Sequence, residues 1–157
     1  MNVLVIAAHP DDETLGMGGT IARHTERGDD VRIIILGQGV LSRKGSSEGD
    51  ILSLREDARK ALSVLGVKDI HFYDFPDNMF DTVPLLKIVK TIELHLNEFK
   101  PDRVYTHFWG DLNIDHQVTY RATVTACRPL SNIKEIMAYE VLSSTDQNVQ
   151  LPLSLIH

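Results

Sequence analysis

A histidine and two adjacent aspartates follow an apolar run near the start of the chain. The run reads VLVIA over residues 3–7, and His9, Asp11 and Asp12 come just after it. Such a run is typical of a strand covered on both faces, so these polar groups are expected where a buried strand ends. A histidine and one carboxylate can bind a metal ion while the other carboxylate handles a proton. Because neighbouring side chains leave a strand in different directions, Asp11 and Asp12 can take different roles.

Helix capping is the alternative interpretation of this segment. Aspartate is favoured at the N-cap of a helix, and acidic side chains in the first turn complement the helix dipole. For Glu13 we favour this capping or hydrogen-bonding role over a part in catalysis.

A second polar segment reads DLNIDH over residues 111–116 and ends in Asp115 and His116. It follows the fourth predicted strand, at the sheet edge that also carries His9. The start of a helix disfavours imidazolium, so His116 is expected in the neutral form that binds metals. Two histidines and one aspartate from two strand ends would resemble a catalytic zinc site with an open position. A lone histidine here would more often be structural.

The elements that position these residues alternate between strands and helices. Helical patterns near 15–27, 51–65, 85–99 and 115–128 separate apolar strands near 3–8, 31–36, 70–73, 104–106 and 136–141. This order predicts an α/β fold, a mostly parallel sheet of about five strands with helices on both faces. The glycine- and serine-rich stretch 37–50 follows the second strand, and either a mobile flap or an idle surface loop would account for it.

Composition narrows the class of protein. The chain has 157 residues, which predicts one domain, 1–157. A net charge of −6 argues against binding to nucleic acid. The single cysteine, Cys127, excludes an internal disulfide and fits a reducing compartment. No segment has the apolar length of a membrane span, and the first strand begins at once, so we expect no signal peptide and a cytoplasmic protein.

The motifs resemble those of the PIG-L/LmbE-like family of zinc-dependent N-acetylglucosaminyl deacetylases. Residues 8–13 read AHPDDE, which matches the family's first motif letter for letter, and Asp115-His116 matches the end of the second. The similarity covers roughly residues 2–145. It implies a Rossmann-like fold and hydrolysis of the N-acetyl amide of an amino sugar.

The resemblance also implies roles for individual residues. His9, Asp12 and His116 would bind Zn²⁺, and Fe²⁺ also accepts such a ligand set. Asp11 would be the general base, and Asp115 would orient a nearby histidine. An amino-sugar substrate is the expected partner, while the sequence leaves open whether the protein forms a homo-oligomer.

The chain departs from the family at two points. Many members have a second histidine three residues before the ligand histidine, and Asn113 stands there in this sequence. An asparagine amide can donate a hydrogen bond to an oxyanion but cannot act as a general acid, and His107 is a second candidate for that role. After residue 145 the tail 146–157 looks unlike the family, which favours a C-terminally truncated domain.

Four further residues are candidates for substrate binding. Arg55 could hold a hydroxyl or phosphate group of the substrate, although an ion-paired helix arginine is an equally good account. Arg43, in the glycine- and serine-rich stretch, is a similar candidate. Asp77 and Asn78 follow the third strand and could bind sugar hydroxyls, with a plain turn as the alternative. A different class of function also stays open, a non-catalytic Rossmann-like module that binds a small molecule or nucleotide.

Overall fold

A computed structural model describes residues 1–39, 47–128 and 133–145 of the chain. Strands and helices alternate along it as the hydrophobic pattern predicts. The elements are, in chain order, β1 (Asn2–Ala7), α1 (Asp12–Glu26), β2 (Asp30–Gly37), α2 (Glu48–Val64), β3 (Asp69–Phe75), a 3₁₀ turn (Phe80–Thr82), α3 (Leu85–Phe99), β4 (Arg103–His107), α4 (Ile114–Cys127), β5 (Glu135–Tyr139) and α5 (Leu142–Thr145).

The five strands form one sheet in the order β3-β2-β1-β4-β5, and every neighbouring pair is parallel. The chain builds outward from β1 to β3 and then returns to place β4 on the other side of β1. This reversal at β1 is a topological switch point of the sheet. The loops that leave β1 and β4 diverge there, and open α/β sheets bind their ligands in the resulting crevice. The ends of β1 and β4 therefore define the expected position of a site.

Alternate residues of β1 divide the core into two layers. Val3, Val5 and Ala7 face one cluster, which includes Ile21 of α1. Leu4 and Ile6 face the other cluster, whose buried side chains come largely from α3 and α4. Helices thus cover both faces of the sheet, which confirms the predicted α/β architecture. Burial on both faces also explains why β1 is apolar at every position from Val3 onward.

Helix α1 crosses the end of β5 at very short range. A Cβ atom on Gly16 would lie 2.6 Å from Cδ2 of Tyr139 and 2.8 Å from the carbonyl oxygen of Glu140. Glycine is therefore required here for close packing. This contact ties the edge strand to the helix that follows His9.

Boundaries differ from the sequence-based prediction by a few residues. α1 begins at Asp12 and not near Leu15, because the turn after His9 leads directly into the helix. The glycine- and serine-rich stretch before α2 is shorter than predicted, because α2 begins at Glu48. Its central part, 40–46, with Arg43, lies outside the described residues, as does the tail 146–157. None of the described helices is long and apolar enough to cross a membrane.

Candidate active site

The two adjacent aspartates after β1 meet different environments. The side chain of Asp12 turns inward and the residue is 4% exposed, whereas Asp11 is exposed to solvent. Asp11 is the N-cap residue of α1, but its carboxylate makes no capping hydrogen bond. The geometry therefore separates the two carboxylates as different roles would require.

His116 is buried between two carboxylates. Its Nδ1 lies 2.9 Å from Oδ2 of Asp111, and its Nε2 lies 3.2 Å from Oδ2 of Asp12. The hydroxyl of Ser144 donates to the same oxygen of Asp111 at 2.8 Å. A carboxylate on Nδ1 fixes the proton there in the neutral ring, which leaves the lone pair of Nε2 directed toward Asp12.

His9 has a similar arrangement with its nitrogens exchanged. Its Nε2 lies 2.9 Å from Oδ2 of Asp115, so the neutral ring carries its proton on that side. Its Nδ1 then faces Oδ2 of Asp12 at 3.4 Å. Oδ1 of Asp77 also lies 3.4 Å from Nε2 of His9. The free nitrogens of both histidines thus converge on one carboxylate.

Asp115 is held in place by the loop that follows β3. The backbone N–H groups of Asn78 and Phe80 donate to its carboxylate at 2.7 and 2.9 Å. Asn78 adopts a left-handed conformation, with φ 55°, which asparagine tolerates better than most residues. Asp115 thus accepts hydrogen bonds from this loop and contacts His9, and its role in orienting that histidine stays a prediction.

The pKa values of the cluster follow from burial and pairing. Burial disfavours imidazolium, but the hydrogen bonds to Asp115 and Asp12 outweigh it and raise the pKa of His9 to about 10. The same opposition, with Asp111 as the main partner, raises the pKa of His116 to about 9. Without a metal ion this ring is therefore protonated near neutral pH, contrary to the neutral form expected from its place at the helix start. Burial opposes the charge of Asp12, yet contacts with the surrounding histidines hold the pKa of this carboxyl well below its usual range.

The donor set fits a divalent metal ion. Ligand atoms of His9, Asp12 and His116 all lie within 4.8 Å of one another. Nε2 of His116 is buried and has no hydrogen-bond partner among the described residues, although Asp12 lies at ion-pair distance. Two imidazole nitrogens and a carboxylate oxygen are a common ligand set for catalytic zinc. A second group of three, His9 with Asp77 and Asp115, is engaged in orienting His9.

His107 lies behind His116 and has no exposed surface. The two rings stack with centroids 3.9 Å apart and an interplanar angle of 18°. Burial, the largest influence on it, lowers the pKa of His107 and favours the neutral ring. The sequence suggested that this residue contacts an oxyanion, but its burial behind a candidate metal ligand does not favour direct contact with substrate.

Asn113 is the N-cap residue of α4. Its side-chain oxygen accepts hydrogen bonds from the N–H groups of Asp115 and His116 at 2.8 and 3.4 Å. This use of the oxygen fixes the amide plane beside the site, and the amide nitrogen is the group that could donate to an oxyanion. Glu13 accepts from the N–H of Asp11 at 3.3 Å, which agrees with its predicted hydrogen-bonding role. Burial raises the pKa of Glu13 to about 7.

The predicted substrate-binding residues are distributed around the site. Arg55 donates to the carbonyl of Tyr73 at 2.6 Å and to the carboxylate of Asp74 at 2.8 Å, so it is the ion-paired helix arginine of the alternative account. Asp77 is buried against His9, and the backbone of Asn78 holds Asp115. A structural use is therefore visible for all three, and a role in substrate binding stays a prediction.

Three residues at the site were not predicted from the sequence. Asp111 and Ser144 orient His116, and the hydroxyl of Tyr139 donates to the carbonyl of Ile6 beside His107. Asp111 belongs to the DLNIDH segment, so its place beside Asp115 and His116 in the sequence could have indicated a role at the site. Ser144 and Tyr139 come from α5 and β5, and nothing local in their sequence indicates a site.

The glycines near the start of the chain do not form a phosphate-binding loop. Gly16, Gly18 and Gly19 lie within α1, and Gly16 packs against Tyr139. A dinucleotide fingerprint would instead place its glycines in the turn between strand and helix. This arrangement gives no support to a nucleotide-binding module.

A Rossmann-like sheet with a buried His–Asp–His group at its switch point defines an α/β protein with a candidate metal centre. Comparison with known proteins makes the assignment specific. Residues 4–127 match the PIG-L family, described as GlcNAc-PI de-N-acetylase, and the chain belongs to this family.

Several proteins with similar sequences are named as deacetylases. It is 31% identical over 147 residues to the uncharacterised deacetylase YaiS of Escherichia coli (strain K12), covering 90% of this chain and 75% of that protein. It is 42% identical over 78 residues to diacetylchitobiose deacetylase of Thermococcus kodakarensis, covering 48% of this chain and 29% of the relative.

Solved structures share the fold. The conserved protein TT1542 from Thermus thermophilus superposes with a TM-score of 0.75 at 27% identity, covering 88% of this chain and 65% of that one. The N,N'-diacetylchitobiose deacetylase from Pyrococcus horikoshii gives 0.73 at 25% identity, covering 85% and 52%. The chain therefore spans about half to three quarters of the length of the relatives that it matches over most of its own length.

Proposed function

We propose that this protein hydrolyses the N-acetyl amide of an N-acetylglucosamine-type amino sugar or glycoconjugate and releases acetate and the free amine. The observation that carries the proposal is the buried group of His9, Asp12 and His116 beside the exposed Asp11. Membership of the PIG-L family and the deacetylase relatives support the same reaction.

His9, Asp12 and His116 would hold the metal ion, with Zn²⁺ as the first candidate and Fe²⁺ as the second. When bound, such an ion polarises the amide carbonyl and lowers the pKa of water toward ~7. Asp111 and Asp115 each engage the other nitrogen of a ligand histidine, which fixes the ring that must face the ion.

Asp11 is the proposed general base. Asp11 is exposed and directly precedes the candidate ligand Asp12, so its carboxylate would reach a water molecule beside the substrate. It would take a proton from the attacking water and pass it to the leaving amine, since an amine is a poor leaving group until it is protonated.

Asn113 is the proposed donor to the oxyanion that forms as the carbonyl carbon becomes tetrahedral. Its amide plane is fixed by the two hydrogen bonds that cap α4, so the donor would be preorganised. An asparagine cannot supply a proton to the leaving amine, which leaves that step to Asp11.

Amino sugars are the proposed substrate class because relatives carry such names, among them diacetylchitobiose deacetylase and 1D-myo-inositol 2-acetamido-2-deoxy-alpha-D-glucopyranoside deacetylase. Arg55, Arg43, Asp77 and Asn78 stay candidates for contacts with the sugar. Arg55 would have to exchange its partner Asp74 for a substrate oxygen.

A substrate screen tests the proposal. Purified protein, stripped of metal and reloaded with Zn²⁺ or Fe²⁺, is offered N-acetylglucosamine, diacetylchitobiose and aryl or alkyl N-acetylglucosaminides, and free amine and acetate are measured. Asp11→Asn should bind metal like the unmodified protein and lose activity by about 10²- to 10⁴-fold, the usual contribution of a general base. Asp57→Asn, on an exposed part of α2, is the matched control and should be fully active.

Two results would contradict the proposal. Near-full release of amine by Asp11→Asn would exclude Asp11 as the base. A protein that binds no divalent metal and hydrolyses none of these amides would favour the non-catalytic binding module instead.

A further inference from the structure

His107 is a fully buried polar side chain beside the candidate metal ligands. It is the last residue of β4, pairs in register with Tyr139 of β5, and has no exposed surface. Its ring lies almost parallel to that of His116 at a centroid distance of 3.9 Å. It therefore forms the back wall of the site.

The hydrogen bonds of His107 define what its ring can do. The backbone N–H of Ala8 donates to Nε2 at 2.9 Å, so Nε2 is an acceptor and cannot carry the ring proton in this contact. The hydroxyl of Tyr139 lies 3.3 Å from the same nitrogen. Because the N–H of Ala8 occupies the Nε2 lone pair, this nitrogen of His107 is not available as a further metal ligand.

The ring of His107 lies against two of the three candidate ligands. The flat face of its ring supports His116, and its Nε2 edge lies 3.4 Å from Oδ2 of Asp12. Asp111 and Ser144 fix His116 within its own plane through Nδ1. The stack restricts the remaining motion, a tilt of the ring out of that plane.

We propose that His107 is a positioning residue for the metal centre, which acts by stacking on His116 while it anchors the end of β1 through Ala8. The stacked face holds the His116 ring so that Nε2 points toward Asp12. The acceptor edge contributes to the stability of the fold, since it satisfies a buried backbone N–H. The inference depends on the metal site in the proposed function.

Two substitutions separate the face of the ring from its acceptor edge. His107→Phe keeps a flat ring behind His116 and removes the acceptor, whereas His107→Gln keeps an acceptor near Ala8 and removes the stack. His95→Gln is the matched control, because His95 is a buried histidine of α3 that is not part of the metal-binding group.

Metal affinity and ligand geometry are the readouts. Zn²⁺ affinity is measured by competition with a chromophoric chelator, and the visible absorption of the Co²⁺-loaded protein reports the ligand geometry. We expect His107→Gln to lose about 10-fold or more in affinity, in the range found for groups that support metal ligands, with a changed Co²⁺ spectrum. His107→Phe should stay within about threefold of the unmodified protein, with the same spectrum and a lower melting temperature.

The outcomes are distinguishable. Unchanged affinity and spectrum in His107→Gln would overturn the positioning role, as would an affinity loss in His107→Phe equal to that of His107→Gln. If His107→Gln does not fold, His107→Phe alone decides, because a large loss of affinity in that variant contradicts the stacking role. A failure of the unmodified protein to bind Zn²⁺ or Co²⁺ would instead count against the proposed function.

Discussion

The carboxylate of Asp115 lies 2.9 Å from Nε2 of His9, although the two residues are 106 positions apart in the sequence. This contact joins the turn after β1 to the start of α4. It leaves Nδ1 of His9 directed toward Asp12, so it selects the nitrogen that would bind a metal ion.

Asp115→Asn should weaken metal binding without abolishing the fold. The amide can still accept one hydrogen bond from the loop after β3, but it can present its NH₂ group to Nε2 of His9 and so reverse the preferred tautomer. We expect a loss of about 10- to 100-fold in Zn²⁺ affinity, measured by chelator competition. Asp81→Asn, on the exposed surface of the 3₁₀ turn, is the control. Equal affinities of the two variants would show that Asp115 does not orient the ligand.

Metal binding should depend steeply on pH. In the metal-free protein the pKa of His9 is raised to about 10 and that of His116 to about 9, so both rings are in the imidazolium form at pH 7. A metal ion must displace these protons, and the apparent affinity should rise with pH by up to two decades per pH unit near neutrality. Calorimetry in buffers of different ionisation enthalpy measures the protons released. Release of none would contradict the assignment of these two ligands.

The metal-free fold should show the opposite dependence. A pKa that is raised by folding stabilises the protein fully below the unfolded value near 6.5, and this stabilisation is lost as pH rises through the folded value. The contribution of His9 and His116 to the free energy of unfolding should therefore decrease between pH 6.5 and 10. Chemical denaturation in the presence of a chelator, with and without His116→Gln, isolates the part of this contribution that comes from His116. A pH slope that does not depend on the substitution would contradict it.

His95 should make the protein less stable in mild acid. Burial, followed by the nearby charges of His71 and Arg32, lowers the pKa of His95 to about 4. Between pH 6.5 and 4 the unfolded chain binds a proton at His95 and the folded chain does not. The free energy of unfolding therefore decreases as the pH is lowered through this range. His95→Gln should reduce this slope, as measured by urea denaturation across the range. An identical slope in both proteins would exclude His95 as its source.

Gly16→Ala should damage both the fold and the site. Its Cβ would lie 2.6 Å from Tyr139 and 2.8 Å from a backbone oxygen, so β5 must move away from α1. We expect a destabilisation of about 1–3 kcal/mol, as for other overpacked sites, and weaker Zn²⁺ binding through the shift of Tyr139. Gly19→Ala is the matched control in the same helix, because nothing lies within 4 Å of its Cβ. That variant should be neutral or stabilised by up to ~1 kcal/mol.

The sequence was sufficient to predict the sheet and the approach of His9, Asp12 and His116. Long apolar runs mark strands buried on both faces, and the carboxyl ends of parallel strands meet at one edge, so polar residues after β1 and β4 had to lie close together. The match of residues 4–127 to the family agrees with the resemblance carried by AHPDDE.

The contacts that hold the candidate ligands in place could not be predicted from the sequence in the same way. Ser144 reaches Asp111 only because α5 follows the edge strand, and His107 is buried because β4 lies between β1 and β5 in the sheet and packs against α4. These contacts depend on packing between elements distant in sequence, and the pattern of any one element contains no information about them. Arg55 is a similar case, since its ion-pair partner Asp74 belongs to β3, 19 positions along the chain.

The sheet order has a consequence for assembly of the protein. One part of the candidate metal group follows β1 and the other begins α4, so an ion held by both would act as a cross-link that closes a loop of on the order of a hundred residues. Such a cross-link forms only after β4 has inserted beside β1, because neither segment alone supplies all the ligands. Loading with metal would therefore be a late event in folding, and its binding free energy would add to the stability of the folded chain.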